Sequence, residues 1–341
     1  NNKGEFINAE DGKNLMSIAD SNPSFDENIN LGSVTFNDSY IDTHIDSILK
    51  LPCIDSESIK RRKFKVVVDA VNSTGGIAIP KLLDRLGVET VKLYCDPTGE
   101  FPHNPEPLKE NLSDLSKLVV NQAADLGIVV DPDVDRLAFV CEDGEVFGEE
   151  YTLVACADYY LKHNPGNTVS NLSSSRALKD ISDLNGCNHF FSAVGEVNVV
   201  ELMKKKNAVI GGEGNGGIIL PDLHYGRDAL VGIALFLSHL ANLNISCSQL
   251  RSKYPSYFMS KDKIMLDKTV NVDKIINEIS KKYSDQEINN EDGLKIDFEN
   301  SWVQLRKSNT EPIIRVYSEA KSQEEANMLS SKFIDEINMI K

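Results

Sequence analysis

Three short stretches of this 341-residue chain concentrate side chains suited to handling a phosphate. Asp131-Pro132-Asp133-Val134-Asp135-Arg136 sets three carboxylates two residues apart, directly after the apolar run 126–130. If this loop is extended, period-two alternation points the three carboxylates the same way. Like unit charges about 4 Å apart repel by roughly 4 kcal/mol at an effective dielectric of 20, so the cluster needs a cation. Oxygen ligands select Mg²⁺, Mn²⁺ or Ca²⁺ over zinc. Pro132 stiffens the loop, and Arg136 can reach a phosphate beside the metal. A solvated acidic turn is the bland alternative. An EF-hand loop would end on Glu142 but requires glycine where Arg136 stands. An aspartyl-phosphate, Mg²⁺-dependent phosphatase also follows an apolar strand with Asp-x-Asp, and it stays open as an alternative.

The second stretch, Gly211-Gly212-Glu213-Gly214-Asn215-Gly216-Gly217, lets backbone approach a ligand closely. Glu213 can accept from sugar hydroxyls, and Asn215 can donate and accept. The spacing does not match a dinucleotide fingerprint. The third stretch is Arg306-Lys307-Ser308-Asn309-Thr310-Glu311-Pro312, followed by an apolar strand with Arg315 inside it. Two arginines, two hydroxyls, an amide and loop N–H groups are converging donors for a dianionic phosphate. An Arg315–Glu311 ion pair is the structural alternative.

Positioning these loops requires short strands alternating with helices. Residues 64–69, 90–95 and 126–130 read as strands, with a turn at 72–76 and a helix over 77–86. A helix over 149–163 opens a second such unit. It holds strands at 168–172 and 208–210, helices near 176–184 and 196–206, and an apolar helix over 228–243 that covers its sheet. After Tyr254-Pro255 come a strand at 258–266, a helix over 272–283, strands flanking 307–312 and a closing helix over 324–340. The expected fold class is α/β: two consecutive α/β domains with mixed or parallel sheets, then a smaller C-terminal α+β domain. The expected segments are a remnant and linker at 1–51, then domains at 52–163, 164–258 and 259–341. The first fifty residues are polar and irregular, with helical patterns near 12–19 and 40–51.

Composition is ordinary for a soluble globular protein. Hydrophobic residues are 41% and the formal net charge is −16, which disfavours nucleic-acid binding. No apolar run is long enough to span a bilayer. The six cysteines are scattered singly, as expected of reduced core thiols in a cytoplasmic protein.

The three loops, in this order, resemble the α-D-phosphohexomutase superfamily, which includes phosphoglucomutase, phosphomannomutase and phosphoglucosamine mutase. Residues 131–136 look like its D-x-D-x-D-R metal loop, residues 212–217 like its G-E-x-S-G-H sugar loop, and residues 306–312 like its R-x-S-x-T-E-P phosphate loop. Val194-Gly195-Glu196 resembles its inter-domain V-G segment. The resemblance implies a hexose phosphate as substrate, interconverted between 6- and 1-phosphate through a phosphoserine and a bisphosphate. It implies Mg²⁺ on Asp131, Asp133 and Asp135 and catalytic assistance from Arg136. Glu213 and Asn215 would hold sugar hydroxyls, while Arg306, Ser308, Asn309, Thr310 and Arg315 would hold the non-reacting phosphate. A moving C-terminal domain would serve both sugar orientations.

The chain also departs from the pattern. The family's T/S-A-S-H-N-P phosphoserine loop belongs to a first domain that the resemblance leaves out. Phe101-Pro102-His103-Asn104-Pro105 shares only its His-Asn-Pro part. The expectation is a chain that lacks most of domain one and is inactive alone; a non-catalytic phosphosugar-binding protein is the further alternative. Asn215 replaces the usual serine and Gly217 the usual histidine, with His224 nearby in sequence, where a surface or capping role is expected.

Overall fold

The computed structural model describes residues 1–24, 33–266, 270–308 and 312–340. Its first sheet comprises β1 (Lys65–Asp69), β2 (Glu89–Leu93), β3 (Leu126–Val130) and β4 (Leu137–Cys141), in the order β2-β1-β3-β4. The first three are parallel and β4 runs antiparallel to β3. Both β3 and β4 are wholly buried, matching their unbroken apolar sequences. The second sheet, β5 (Asn167–Asn171), β6 (His189–Ser192), β7 (Ala208–Glu213) and β8 (Gly217–Ile219), repeats this plan in the order β6-β5-β7-β8. Here too the last strand is antiparallel. The aspartate loop therefore joins β3 to β4, and the glycine-rich loop joins β7 to β8. The same connection holds a candidate loop in both units.

The third sheet is antiparallel: β9 (Phe258–Met265), β10 (Glu287–Asn289), β11 (Leu294–Asp297), β12 (Trp302–Lys307) and β13 (Ile313–Ala320), in the order β10-β11-β12-β13-β9. The helices Val272–Lys282 and Gln323–Ile340 pack on it around Ile279, Leu305, Ile314 and Phe333. The expected architecture is present. Short elements that the sequence did not reveal include β6, β8, β10, β11 and the helices Ser56–Arg62, Ser113–Asn121 and Cys247–Arg251.

The helix Ala229–Leu243 does more than cover the second sheet. Residues Ala229–Leu240 are all buried. The helix packs on β4 and β8 and on helices Tyr40–Leu49, Ser56–Arg62, Gly75–Arg85 and Glu149–His163. Its sequence is apolar on every side because it lies between the two units and has no solvent face. Ile45 and Ile48 anchor helix Tyr40–Leu49 in that shared core, whereas helix Ala9–Asp20 buries nothing.

The third sheet meets the second unit through polar groups. Arg176 reaches Asp297 at 3.2 Å, Ser173 Oγ donates to Gln304 at 2.6 Å, and the Val194 N–H donates to Asp292 at 3.0 Å. Lys295 is buried there. Its Nζ donates to the Leu172 carbonyl at 3.0 Å, between the rings of Phe191 and Trp302.

Candidate functional site

The aspartate loop is not extended. The chain folds around Asp131, whose Oδ1 accepts from the N–H groups of Asp135 and Arg136 at 3.1 and 3.0 Å. The Val134 N–H donates to the Asp131 carbonyl at 3.2 Å, and Val134 adopts φ 64°. A β-branched residue resists that region, so the surroundings must hold it there. The hydroxyls of Ser73 and Thr74 donate to the Pro132 carbonyl at 2.8 and 2.5 Å, and the Ala229 N–H donates to that of Val134 at 3.1 Å. This turn, rather than strand alternation, brings carboxylate oxygens of Asp131, Asp133 and Asp135 within 4.8 Å of one another.

Burial foremost, then the charges of Asp135 and Asp133, push the Asp131 carboxyl upward against the pull of the Arg136 N–H. Asp135 Oδ1 is buried without a hydrogen-bond partner among the described residues. A hard divalent cation relieves both conditions, so this donor set fits Mg²⁺.

At the glycine-rich loop, Glu213 is buried and its carboxylate is already engaged. Oε1 accepts from Asn171 Nδ2 at 2.8 Å and from the Gly195 N–H at 3.1 Å, while Oε2 accepts from Arg227 Nη1 at 3.0 Å. Arg227 also pairs with Asp135 through Nη2 and with Glu196 through Nε at 3.0 Å. One guanidinium therefore ties the aspartate loop, the glycine-rich loop and the Val194-Gly195-Glu196 segment together. It also accounts for Gly217: a Cβ there would lie 2.3 Å from Arg227 Cδ, so the arginine stem fills that space. His224 is turned to Asp228, Nε2 to Oδ2 at 3.0 Å, and does not line the main cavity.

Gly214 is explained by Glu150, whose Oε2 would lie 1.9 Å from a Cβ at that position. Glu150 accepts from the Ser175 N–H at 2.9 Å, and burial raises its carboxyl to about 7, with Lys261 pulling the other way.

Arg306 and Arg315 are direct partners across β12 and β13, which puts both side chains on one face of the sheet. Arg306 Nε lies 3.5 Å from Asp292, and Arg315 Nη1 donates to Tyr317 Oη at 3.4 Å. Ser308 is buried, its N–H donating to the Ile313 carbonyl at 3.1 Å. Asn309, Thr310 and Glu311 lie outside the described residues.

A cavity of about 410 Å³ is lined by Arg136, Glu213, Asn215, Arg306 and Arg315, so all three loops open onto it. The aspartates are not on its wall. Asp133 and Asp135 face an adjoining depression beside Arg227 and His224. Arg136 stands between, with Nε 3.6 Å from Asp131 and Nη1 3.5 Å from Glu106 at the cavity edge. His103 is structural: Nε2 meets the buried Asp69 at 3.0 Å, at the end of β1.

Sequence reasoning missed Arg227, Glu150, Lys261 and Tyr317. The available signals were the charged Arg227-Asp228 pair opening an otherwise apolar helix, and Glu149-Glu150 immediately after Gly148.

Comparison with known proteins agrees with this geometry. Residues 42–144, 148–257 and 264–336 match the phosphoglucomutase/phosphomannomutase alpha/beta/alpha domain II, alpha/beta/alpha domain III and C-terminal domain. A phosphoglucomutase/phosphomannomutase of Thermococcus kodakarensis is 38% identical over 277 residues, which cover 80% of this chain and 60% of that protein. A probable phosphoglucosamine mutase of Methanopyrus kandleri is 30% identical over 316 residues, covering 92% and 68%. The chain thus spans about three fifths to two thirds of the length of these relatives. The crystal structure of a phosphoglucomutase/phosphomannomutase family protein from Burkholderia thailandensis superposes with a TM-score of 0.81 at 25% identity, covering 98% of this chain and 70% of that one. None of these matches favours the aspartyl-phosphate phosphatase alternative. Loops, sheet plan and matched domains agree: the chain belongs to the phosphoglucomutase/phosphomannomutase family of the α-D-phosphohexomutase superfamily.

Proposed function

We propose that the cleft binds a hexose phosphate and serves phosphohexose mutase chemistry, exchanging 6- and 1-phosphate through a phosphoserine and a bisphosphate. The observation that carries this reading is that Arg136, Glu213, Asn215, Arg306 and Arg315, from three loops far apart in sequence, line one cavity.

On this reading Asp131, Asp133 and Asp135 would hold Mg²⁺, which when bound supplies positive charge to phosphoryl oxygens. Arg136, at the boundary between aspartates and cavity, neutralises charge on the transferring group. Arg306 and Arg315, with Ser308, Asn309 and Thr310, grip the phosphate that does not react. Asn215 offers hydrogen bonds to sugar hydroxyls in either orientation. Much of Glu213 is already committed to Asn171, Gly195 and Arg227, so it contributes by holding the loop as well as by accepting from substrate.

Calorimetry with glucosamine, glucose and mannose 6-phosphates in Mg²⁺ tests the reading. Saturable binding is expected, weakened about ten-fold or more by Arg315→Ala through loss of a charge-assisted hydrogen bond. Absence of binding by all three sugars, or binding indifferent to Arg315→Ala, overturns it. These 341 residues are expected to bind without turnover, since the family's phosphoserine loop is not among them. Measurable mutase turnover refutes that part alone.

A further inference from the structure

We propose a second divalent-cation site, of different chemistry from the aspartate loop, formed by His44, His224 and Asp228. His44 Nε2 lies 2.7 Å and His224 Nε2 3.0 Å from the same Asp228 Oδ2, and the three ligand atoms are mutually within 4.8 Å. The rings meet at 64° with centroids 5.8 Å apart, so their Nε2 edges converge.

Each donor sits on a rigid support. His44 is on helix Tyr40–Leu49, beside the buried Ile45. Asp228 is the N-cap of helix Ala229–Leu243: its Oδ1 accepts from the Val231 N–H at 3.1 Å, which leaves Oδ2 facing the imidazoles. His224 reaches the same oxygen from the turn after β8.

Two imidazole nitrogens and one carboxylate oxygen form a one-sided set of three. The side chains of His44 and His224 are 33% and 37% exposed, which gives an ion a route in and leaves water the remaining positions. Metal–ligand distances of about 2.0–2.2 Å in a tetrahedral site imply donor separations of about 3.3–3.5 Å. To admit an ion, the His224–Asp228 pair would therefore open by about 0.3–0.5 Å and the His44–Asp228 pair by about 0.6–0.8 Å, shifts within the reach of side-chain rotation. Imidazole selects Zn²⁺, Co²⁺ or Ni²⁺, whereas Mg²⁺ prefers the all-oxygen loop.

Two cationic side chains, Lys3 and Arg227, line the depression that holds the donors; Arg227 is occupied by Asp135, Glu196 and Glu213, and Lys3 is on the exposed N-terminal segment. Asp133 and Val134 line the same depression as the three donors. An ion there would fasten the two helices beside the aspartate loop, next to the Ala229–Val134 hydrogen bond.

The test is titration of the chelator-treated protein with Co²⁺ under excess Mg²⁺, which fills the oxygen site. One equivalent is expected to develop the visible absorption of imidazole-ligated Co²⁺. His44→Ala and His224→Ala should each weaken that binding by roughly ten-fold or more, since losing even an outer-shell partner costs that much. His163→Ala serves as the control and should leave the titration unchanged. Thermal melts accompany each variant, and His44→Gln replaces any variant that does not fold. Absence of a saturable band, or a band that survives both substitutions, overturns the proposal.

Discussion

Replacing Arg227 by methionine keeps the stem that packs over Gly217 and removes the charge shared by three carboxylates. Their exposure is low: Asp135 16%, Glu196 8% and Glu213 7%. The loss does not triple, because two of the three retain other donors. Glu213 keeps Asn171 and Gly195, and Glu196 keeps the backbone N–H of residue 227 at 2.9 Å. Asp135 keeps least: among the described residues its Oδ1 has no hydrogen-bond partner and only a distant charge, Arg136 Nε at 3.9 Å, and its Oδ2 has Arg227. The expected cost is therefore that of stranding about one buried charge, roughly 3–5 kcal/mol. For a cooperative unit of about 200 residues this lowers the melting temperature by roughly 6–20 °C. Differential scanning calorimetry with and without Mg²⁺ is the assay. The variant should regain more stability from Mg²⁺ than the parent, because its Asp135 no longer has the arginine as a partner. Arg227→Lys should fall between them, since an ammonium cannot reach all three carboxylates. A melt within about 2 °C of the parent would refute the guanidinium's role as a junction. An equal Mg²⁺ shift in both proteins would refute its link to Asp135.

Two further expectations concern the scaffold. Gly216 has φ 86°, and its carbonyl accepts from the Leu137 N–H at 3.1 Å where the two sheets touch. A Cβ there would lie 2.1 Å from the Leu137 carbonyl oxygen, so Gly216→Ala should separate the aspartate and glycine loops. Loss of Mn²⁺ binding measured by electron paramagnetic resonance checks this, and unaltered binding contradicts it. His239 is buried, and desolvation lowers its imidazole to about 4 despite Asp158 at 3.6 Å. Its folded value lies below the unfolded one, so the unfolded chain takes up the proton first. The stability it protects is complete above about pH 6.5 and declines toward pH 4, by at most about 1.4 kcal/mol per unit. Urea midpoints should fall less between pH 7.5 and 5 in His239→Gln than in the parent; equal falls count against the assignment.

The sequence revealed much of this because the apolar strands are short, continuous and end on the chemistry. Strand β3 runs straight into Asp131, and β7 into Glu213. What it could not reveal depends on contacts between distant segments. The convergence of Asp131, Asp133 and Asp135 comes from a left-handed Val134, held by hydroxyls about sixty residues earlier and a helix about ninety-five later. Arg227 reads as an ordinary charged residue until Asp135, Glu196 and Glu213 are seen around it. Strand β8 is three residues long, too short for periodicity to register. The exchange of histidine for glycine at position 217 looks like a loss in sequence. In the structure the Arg227 stem leaves no room for a side chain at Gly217.

The shared core has a consequence for inheritance. Each of the first two sheets has a small core of its own on its outer face, around Val119 in one and Met203 in the other. Their inner faces meet in a single apolar mass running from Ile45 to Tyr254 through the helix Ala229–Leu243. The third sheet has a separate core, and it meets its neighbour through hydrogen bonds and ion pairs. A genetic crossover between the first two units would have to recut a jointly packed interior, whereas one falling after Tyr257 and before Ile264 would pass between two cores. The third sheet, with Arg306 and Arg315, is thus the part of this protein that recombination can exchange whole, while the first two sheets must be inherited together.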